Sequence, residues 1–200
     1  ALQFHEVELR IKCRDGYTPQ GTPKIYGNYI YVDTDERKYF TETEHEILFT
    51  QTQYQPATST DTEMDLSYFN HPVKSIHLIS GAAAGQKWYD EYTFGTSSLY
   101  INGTALFENS SNVYHHNIVP QMHCTDLPDD VLDDLPTYSW PFCLSMSKAQ
   151  PSGTLNFSRI DNAKLLVNNV SGGNNLHRVY AVNFNILRIK NGMAGVAFGN

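Results

Sequence analysis

From Gln150 to Asn162 the chain turns, extends and turns again, and this corner limits the possible folds more than any other stretch. Pro151 fixes φ as the second position of a β-turn requires, and Gly153 suits the close of such a turn. Leu155 and Phe157 then alternate with Thr154, Asn156 and Ser158, the period-2 pattern of a strand with one buried face. Asp161-Asn162 marks a second turn, beyond which Ala163, Leu165 and Val167 resume the parity. Two β segments meeting at a tight corner are predicted, with Arg159 the one charge on the apolar side. An unpaired buried charge is expensive, so Arg159 is expected to be held by a carboxylate or by backbone carbonyls, with Asp161 a candidate partner. No nucleophile in the stretch has a base beside it. Pro151, Gly153, Phe157, Arg159 and Asp161 therefore read as a structural corner.

The same alternation recurs along the chain. Val7, Leu9, Ile11 and Cys13 share one parity, with Glu6, Glu8, Arg10 and Lys12 on the other. Ile25 to Val32 predicts a strand apolar on both faces through Tyr26, Tyr29 and Tyr31, either covered on both sides or lying at an interface. Further strands are expected over Glu46–Tyr54, Met64–Tyr68, Val73–Ser80, Ser98–Leu106, Tyr138–Met146 and Val179–Ile189. Asn102-Gly103 is a tight-hairpin dipeptide. Pro141 places its strand at an edge or bulge. In the last strand the apolar parity shifts from Tyr180, Val182, Phe184 and Ile186 to Leu187 and Ile189, implying a bulge or a change of packing environment. One short helix is expected from Asp33 to Phe40, because Asp33 and Glu36 form a capping-box pattern. Periodicity dissolves from Phe107 to Pro136, where Pro128–Leu135 could supply one helical turn. The elements sum to an all-β, eight-stranded antiparallel jelly-roll sandwich with one short helix and long loops.

A net charge of −7 argues against a phosphate-binding surface, so no nucleic-acid partner is expected. Three cysteines, Cys13, Cys124 and Cys143, favour free buried thiols in a reducing compartment over a disulfide framework. No run approaches a membrane span, and the N-terminus is not a signal peptide, so no direct membrane insertion is expected. Opening on Ala1 with no Met, the chain reads as cut from something longer.

No catalytic, cofactor or metal site is predicted. His115-His116 with His123-Cys124 is the one cluster of metal-ligand types, but adjacent histidines on a strand point to opposite faces. Asp126, Asp129, Asp130, Asp133 and Asp134 lack the spacing of a calcium loop. His45-Glu46 has Phe49 where a zinc protease needs its second His. Cys143 reads as a buried inert thiol. Trp88, Tyr89, Tyr92 and Phe94 form a candidate interface loop, with a sugar-binding platform as the alternative. Of four Asn-x-Ser/Thr triplets, at Asn102, Asn109, Asn156 and Asn169, the first two are kept as candidate glycosylation positions.

Several segments resemble one family. Gln150–Asn162 and Tyr180–Asn200 are similar to the end of the major capsid protein of nucleocytoplasmic large DNA viruses of the algal-virus and iridovirus type. Leu2–Val7, Tyr31–Phe40, His45–Leu48 and Asn70–Lys74 look like earlier landmarks of the same family, in order; the likeness is weakest from Gly81 to Pro136. The resemblance implies a double jelly roll, with residues 1–200 as its second, C-terminal roll. It also implies homotrimeric pseudo-hexagonal capsomers, contacts with neighbouring capsomers and minor capsid proteins, and an icosahedral shell assembled in the host cytoplasm around an inner membrane. No reaction would be catalysed. Residues 88–94 and 107–136 would then lie at the capsomer top or against a neighbouring subunit. A lectin-like sandwich using the loop aromatics is the competing reading, and a cupin-type metalloenzyme, which lacks its His-x-His pair here, is third.

Overall fold

The computed structural model describes residues 1–12, 21–57, 62–80, 94–125, 137–170 and 177–199. They divide into two compact units, one of residues 1–47 with 186–197 and one of residues 48–185 with 198–200. Among the described residues there are ten strands: β1 (His45–Ala57), β2 (Glu63–Asp65), β3 (Pro72–Ser80), β4 (Thr96–Ile101), β5 (Thr104–Ser111), β6 (Thr137–Pro141), β7 (Leu155–Asn156), β8 (Ala163–Asn168), β9 (His177–Lys190) and β10 (Met193–Val196).

One sheet has the order β1-β9-β3-β6, with β10 added to β9 and β7 to β3; the other has the order β2-β8-β4-β5. Leaving out the short additions β7 and β10, eight strands remain. The first sheet holds the first, eighth, third and sixth of these, and the second sheet holds the second, seventh, fourth and fifth. First pairs with last, second with seventh, third with sixth and fourth with fifth. That nested antiparallel winding is a jelly roll, as the strand pattern predicts.

The core of the larger unit forms where the inward parities meet. Across the first sheet, Ala181, Ile76 and Trp140 form one row, and Val179, Leu78 and Tyr138 the next. A small residue on β9 thus lies across from a large one on β6, and all six are buried. The facing sheet contributes Met64, Leu99, Leu165 and Val167, while Ala163, Leu165 and Val167 keep the expected parity. Asn102 and Gly103, with φ of 49° and 81°, make the predicted two-residue hairpin between β4 and β5. Pro141 ends β6, an edge strand.

Two expectations change in β9. Val179, Ala181, Asn183 and Asn185 are buried on one parity, whereas on the other Phe184 is buried as expected but Tyr180 and Val182 are only half-buried. Asn183 and Asn185 are tolerated inside because Gln53 Nε2 donates to Asn183 Oδ1 (3.0 Å) and Asn185 Nδ2 donates to Gln51 Oε1 (2.8 Å). The register irregularity lies on the partner strand β3, where Lys74 is the extra residue between Val73 and Ser75.

In the smaller unit, α1 (Thr34–Glu42) starts as predicted. Asp33 Oδ1 accepts from Glu36 N (2.9 Å), and Glu36 Oε2 accepts from Asp33 N (3.3 Å). β10 folds back on the end of β9 through Asn191-Gly192, both at positive φ. Glu44 and Glu46 pair with Lys190 (3.0 Å) and Arg188 (2.8 Å); the Lys190 ammonium, hydrogen-bonded to Glu44, holds that carboxyl below the usual range. The strands expected over Val7–Ile11 and Ile25–Val32 are absent among the described residues. A strand needs a neighbouring edge, and none of the described residues pairs with these segments. Their apolar side chains stand in solvent, Val7 at 86% and Tyr31 at 88% exposure.

Candidate functional site

The corner is held by backbone, amide and hydroxyl contacts, without ionic ones; His71 N donates to Ser158 Oγ (2.9 Å) and Ser145 N to Ser152 Oγ (3.0 Å). Leu155–Asn156 pairs with Pro72–Val73, but the chain then winds into a 3-10 turn, Phe157–Arg159, where a longer strand was expected. Asn156 Oδ1 accepts from Ser158 N (3.1 Å) and starts that turn; such local side-chain capping competes with ladder formation. Phe157 inserts against Phe69 and Phe142, at ring distances of 6.3 and 6.0 Å. Gly153, at φ +145°, passes so close to Phe142 that a Cβ there would lie 2.7 Å from its carbonyl oxygen. Asn102 Oδ1 accepts from both Asp161 N and Asn162 N (3.1 Å each), so the tip of the β4–β5 hairpin fastens the corner. Arg159 departs from expectation. The turn rotates it off the buried face, and it is exposed with no ion pair to Asp161 or to any other described residue. Asp161 contributes its backbone.

The histidine pair has a mechanical role. Residues 112–123, expected to be irregular, are helical: a π-helical segment (Tyr114–Ile118) runs into α2 (Val119–His123). On that backbone both rings can reach one strand edge. His115 Nδ1 bonds Ser139 O (3.0 Å) and His116 Nδ1 bonds Thr137 O (2.9 Å), two alternate carbonyls on the free side of β6. Because a carbonyl only accepts, each Nδ1 carries the proton. His115 is fully buried between Trp140 (4.7 Å) and Phe107 (5.4 Å), and burial lowers its pKa against the opposing effect of the Ser139 carbonyl. An edge strand is thereby covered by a helix, a common protection against unwanted pairing. No three His, Cys, Asp or Glu side chains among the described residues are grouped to hold a metal.

One constellation has a catalytic look. His77 Nε2 lies 2.9 Å from Ser75 Oγ, and His77 Nδ1 lies 2.9 Å from Ser139 Oγ. Desolvation first, and the Lys74 charge second, push the His77 pKa down to about 4. The ring is therefore neutral at pH 7, with the chemistry of a base. Both serines are buried, which denies a substrate access to either hydroxyl. The array joins β3 to β6 across their outward side and serves packing.

Of the candidate interface loop, Trp88, Tyr89 and Tyr92 lie outside the described residues, as do Asp126 to Asp134 and Cys13. Phe94 does not belong to a surface platform: it is buried against Tyr138 (4.4 Å) and Trp140 (6.4 Å). Asn102 and Asn109 are exposed, both at φ 49°, Asn102 in the hairpin turn and Asn109 where the register of β5 against β4 shifts. Sequence reasoning missed Lys74, His77 and their neighbours. The available signal was polar residues set among the apolar ones of a central strand.

Residues 36–195 match the family model for the large eukaryotic DNA virus major capsid protein. The chain belongs to this family. The major capsid protein of Pyramimonas orientalis virus is 32% identical over 225 residues, covering all of this chain and 56% of that protein. The major capsid protein of Paramecium bursaria Chlorella virus 1 is 26% identical, again over the whole chain and 62% of the relative. The chain thus spans little more than half the length of these capsid proteins. Its fold is similar to that in the quasi-atomic model of the PBCV-1 virus capsid, with TM-score 0.68, 24% identity and coverage of 86% of this chain and 56% of that one. It is also similar to the Faustovirus major capsid protein, with TM-score 0.60, 15% identity and coverage of 80% and 36%.

Proposed function

We propose that this chain is the C-terminal part of a capsid-building subunit, in which two jelly rolls of one protein combine and three such proteins form a pseudo-hexagonal capsomer. The match of residues 36–195 to the capsid family carries the reading. Three physical features support it. The strands wind as a jelly roll whose β6 edge is covered by the helical segment. The net charge of −7 suits a shell that does not grip nucleic acid. The smaller unit carries apolar side chains (Val7, Leu9, Ile11, Tyr26, Ile30 and Tyr31) whose exposure suits coverage by a preceding roll. The work of such a subunit is mechanical, and no chemical step is assigned to it. Neighbouring capsomers and minor capsid proteins are its proposed partners, the virion its place and the host cytoplasm its place of assembly.

The sugar-binding alternative loses Phe94 to the core. Light scattering of the full-length protein, followed by electron cryomicroscopy of the particle, tests the proposal. A trimer that fits the density of the shell is the expected result. A monomer with no place in the shell would overturn it.

A further inference from the structure

Behind the β6 edge lies a small second core built from Val119, Cys143 and Met146, with Tyr114 and Cys124 packed against it. Cys124 closes α2, its N–H donating to Pro120 O (2.8 Å), and Cys143 comes just after Phe142 beyond the end of β6. The two stretches are stitched together beside the thiols: Met146 N donates to His123 O (2.7 Å), and Thr125 N donates to Ser147 Oγ (3.2 Å). Both cysteines are free; Cys143 is buried and Cys124 partly accessible. A buried cation stands on the adjoining strand, where Lys74 O accepts from Phe142 N (2.9 Å), one residue before Cys143. Lys74, the bulge residue of β3, is 5% exposed, donates from Nζ to Lys148 O (3.3 Å) and lies 5.5 Å from the Phe184 ring centre. Burial raises both thiol pKa values, while the Lys74 charge opposes that rise at each sulfur, so one ammonium acts on both. An ammonium has three donors, and here one hydrogen bond and one ring engage it.

We propose that Cys124 and Cys143 are a dithiol that closes to an intramolecular disulfide when the protein passes from a reducing to an oxidising solution, with the Lys74 ammonium supporting the attacking thiolate. The oxidant is a low-molecular-weight disulfide such as oxidised glutathione. Cys124, the accessible thiol, loses its proton to solvent and attacks one glutathione sulfur; the S–S bond breaks and one glutathione thiolate leaves. Cys143 then attacks the Cys124 sulfur of the mixed disulfide and expels the second glutathione. Two cysteine thiols are oxidised, one disulfide is reduced to two thiols, and the protons lost by the cysteines balance those taken up by the leaving thiolates. Closure ties the end of α2 to the segment after β6, locking the helical cover over that sheet edge. The inference stands on the thiol cluster and does not depend on the capsid reading.

The test treats the native full chain with excess oxidised glutathione, then applies alkylation, digestion and mass spectrometry. A Cys124–Cys143 linked peptide lacking two hydrogen atoms is expected, along with a rise in melting temperature of about 5–10 °C that reductant reverses. Cys143→Ser should stop the reaction at a Cys124–glutathione adduct, and neither Cys143→Ser nor Cys124→Ser should show the thermal shift. Lys74→Gln should slow closure about tenfold; if that variant does not fold, the serine variants alone decide. Free alkylation of both thiols after oxidation, pairing of either with Cys13, or an equal yield of the link in urea-unfolded chain would overturn the proposal.

Discussion

Val7, Leu9 and Ile11 alternate with charged residues much as Ile76 and Leu78 alternate with Ser75 and His77, yet the two regions end differently. The first three side chains are 65–86% exposed, on a segment with no ladder; the second two are fully buried in the middle of a sheet. What separates them is the availability of neighbours. β3 has β9 on one side and β6 on the other, so its backbone groups are paired and its apolar parity closes against Leu99 and Leu165. Residues 5–12 and 25–32 carry the pattern without a partner among the described residues. Period-2 alternation states which face can be buried, and another edge must supply the burial.

The contrast is sharpest in truncation. Trp140→Ala removes a fully buried ring packed between Phe94 and His115, and should cost about 3–5 kcal/mol in urea denaturation of this chain. Tyr31→Ala removes a ring of similar bulk at 88% exposure and should change stability by less than about 0.5 kcal/mol. Equal costs would break the comparison.

A second difference is pH sensitivity. The His77 pKa falls from 6.5 to about 4 on folding. Above pH 6.5 the ring is neutral in both states and contributes no pH dependence. Between pH 6.5 and 4 the unfolded chain takes up the proton and the folded one resists, so the larger unit should lose roughly 3 kcal/mol across that interval. Burial of His115 acts in the same direction. Denaturant midpoints measured at half-unit pH steps check this, and His77→Gln should flatten the slope.

The smallest effect is expected at the corner. Arg159 is exposed and unpaired among the described residues, so Arg159→Ala should leave stability within about 0.5 kcal/mol. A loss of 2 kcal/mol or more, on the scale of a broken buried contact, would restore the ionic role that its parity suggested.

What was legible in the residues was mostly local chemistry. Asp33 with Glu36, Asn102-Gly103, Pro141 and the alternation of Ala163, Leu165 and Val167 each act through the backbone within a few positions, and each sits as expected. What stayed hidden was set by distant partners. Phe94 is core because Tyr138 and Trp140 stand beneath it, a fact its loop-like surroundings do not carry. The helical segment over β6 contains Val113, Ile118, Val119 and Pro120, which have weak helix propensity, so its fold depends on docking against an edge far away in sequence. The Lys74 bulge and the inward asparagines of β9 are equally a property of the assembled sheet.

The proposed function has residues 5–12 and 25–32 completed by the rest of a longer capsid protein. Amide hydrogen exchange tests it most directly, comparing this 200-residue chain with the full-length protein. The account predicts rapid exchange at residues 5–12 and 25–32 in the shorter chain, and at least about a hundredfold protection of the same amides in the longer one. Equal, unprotected exchange in both would contradict it.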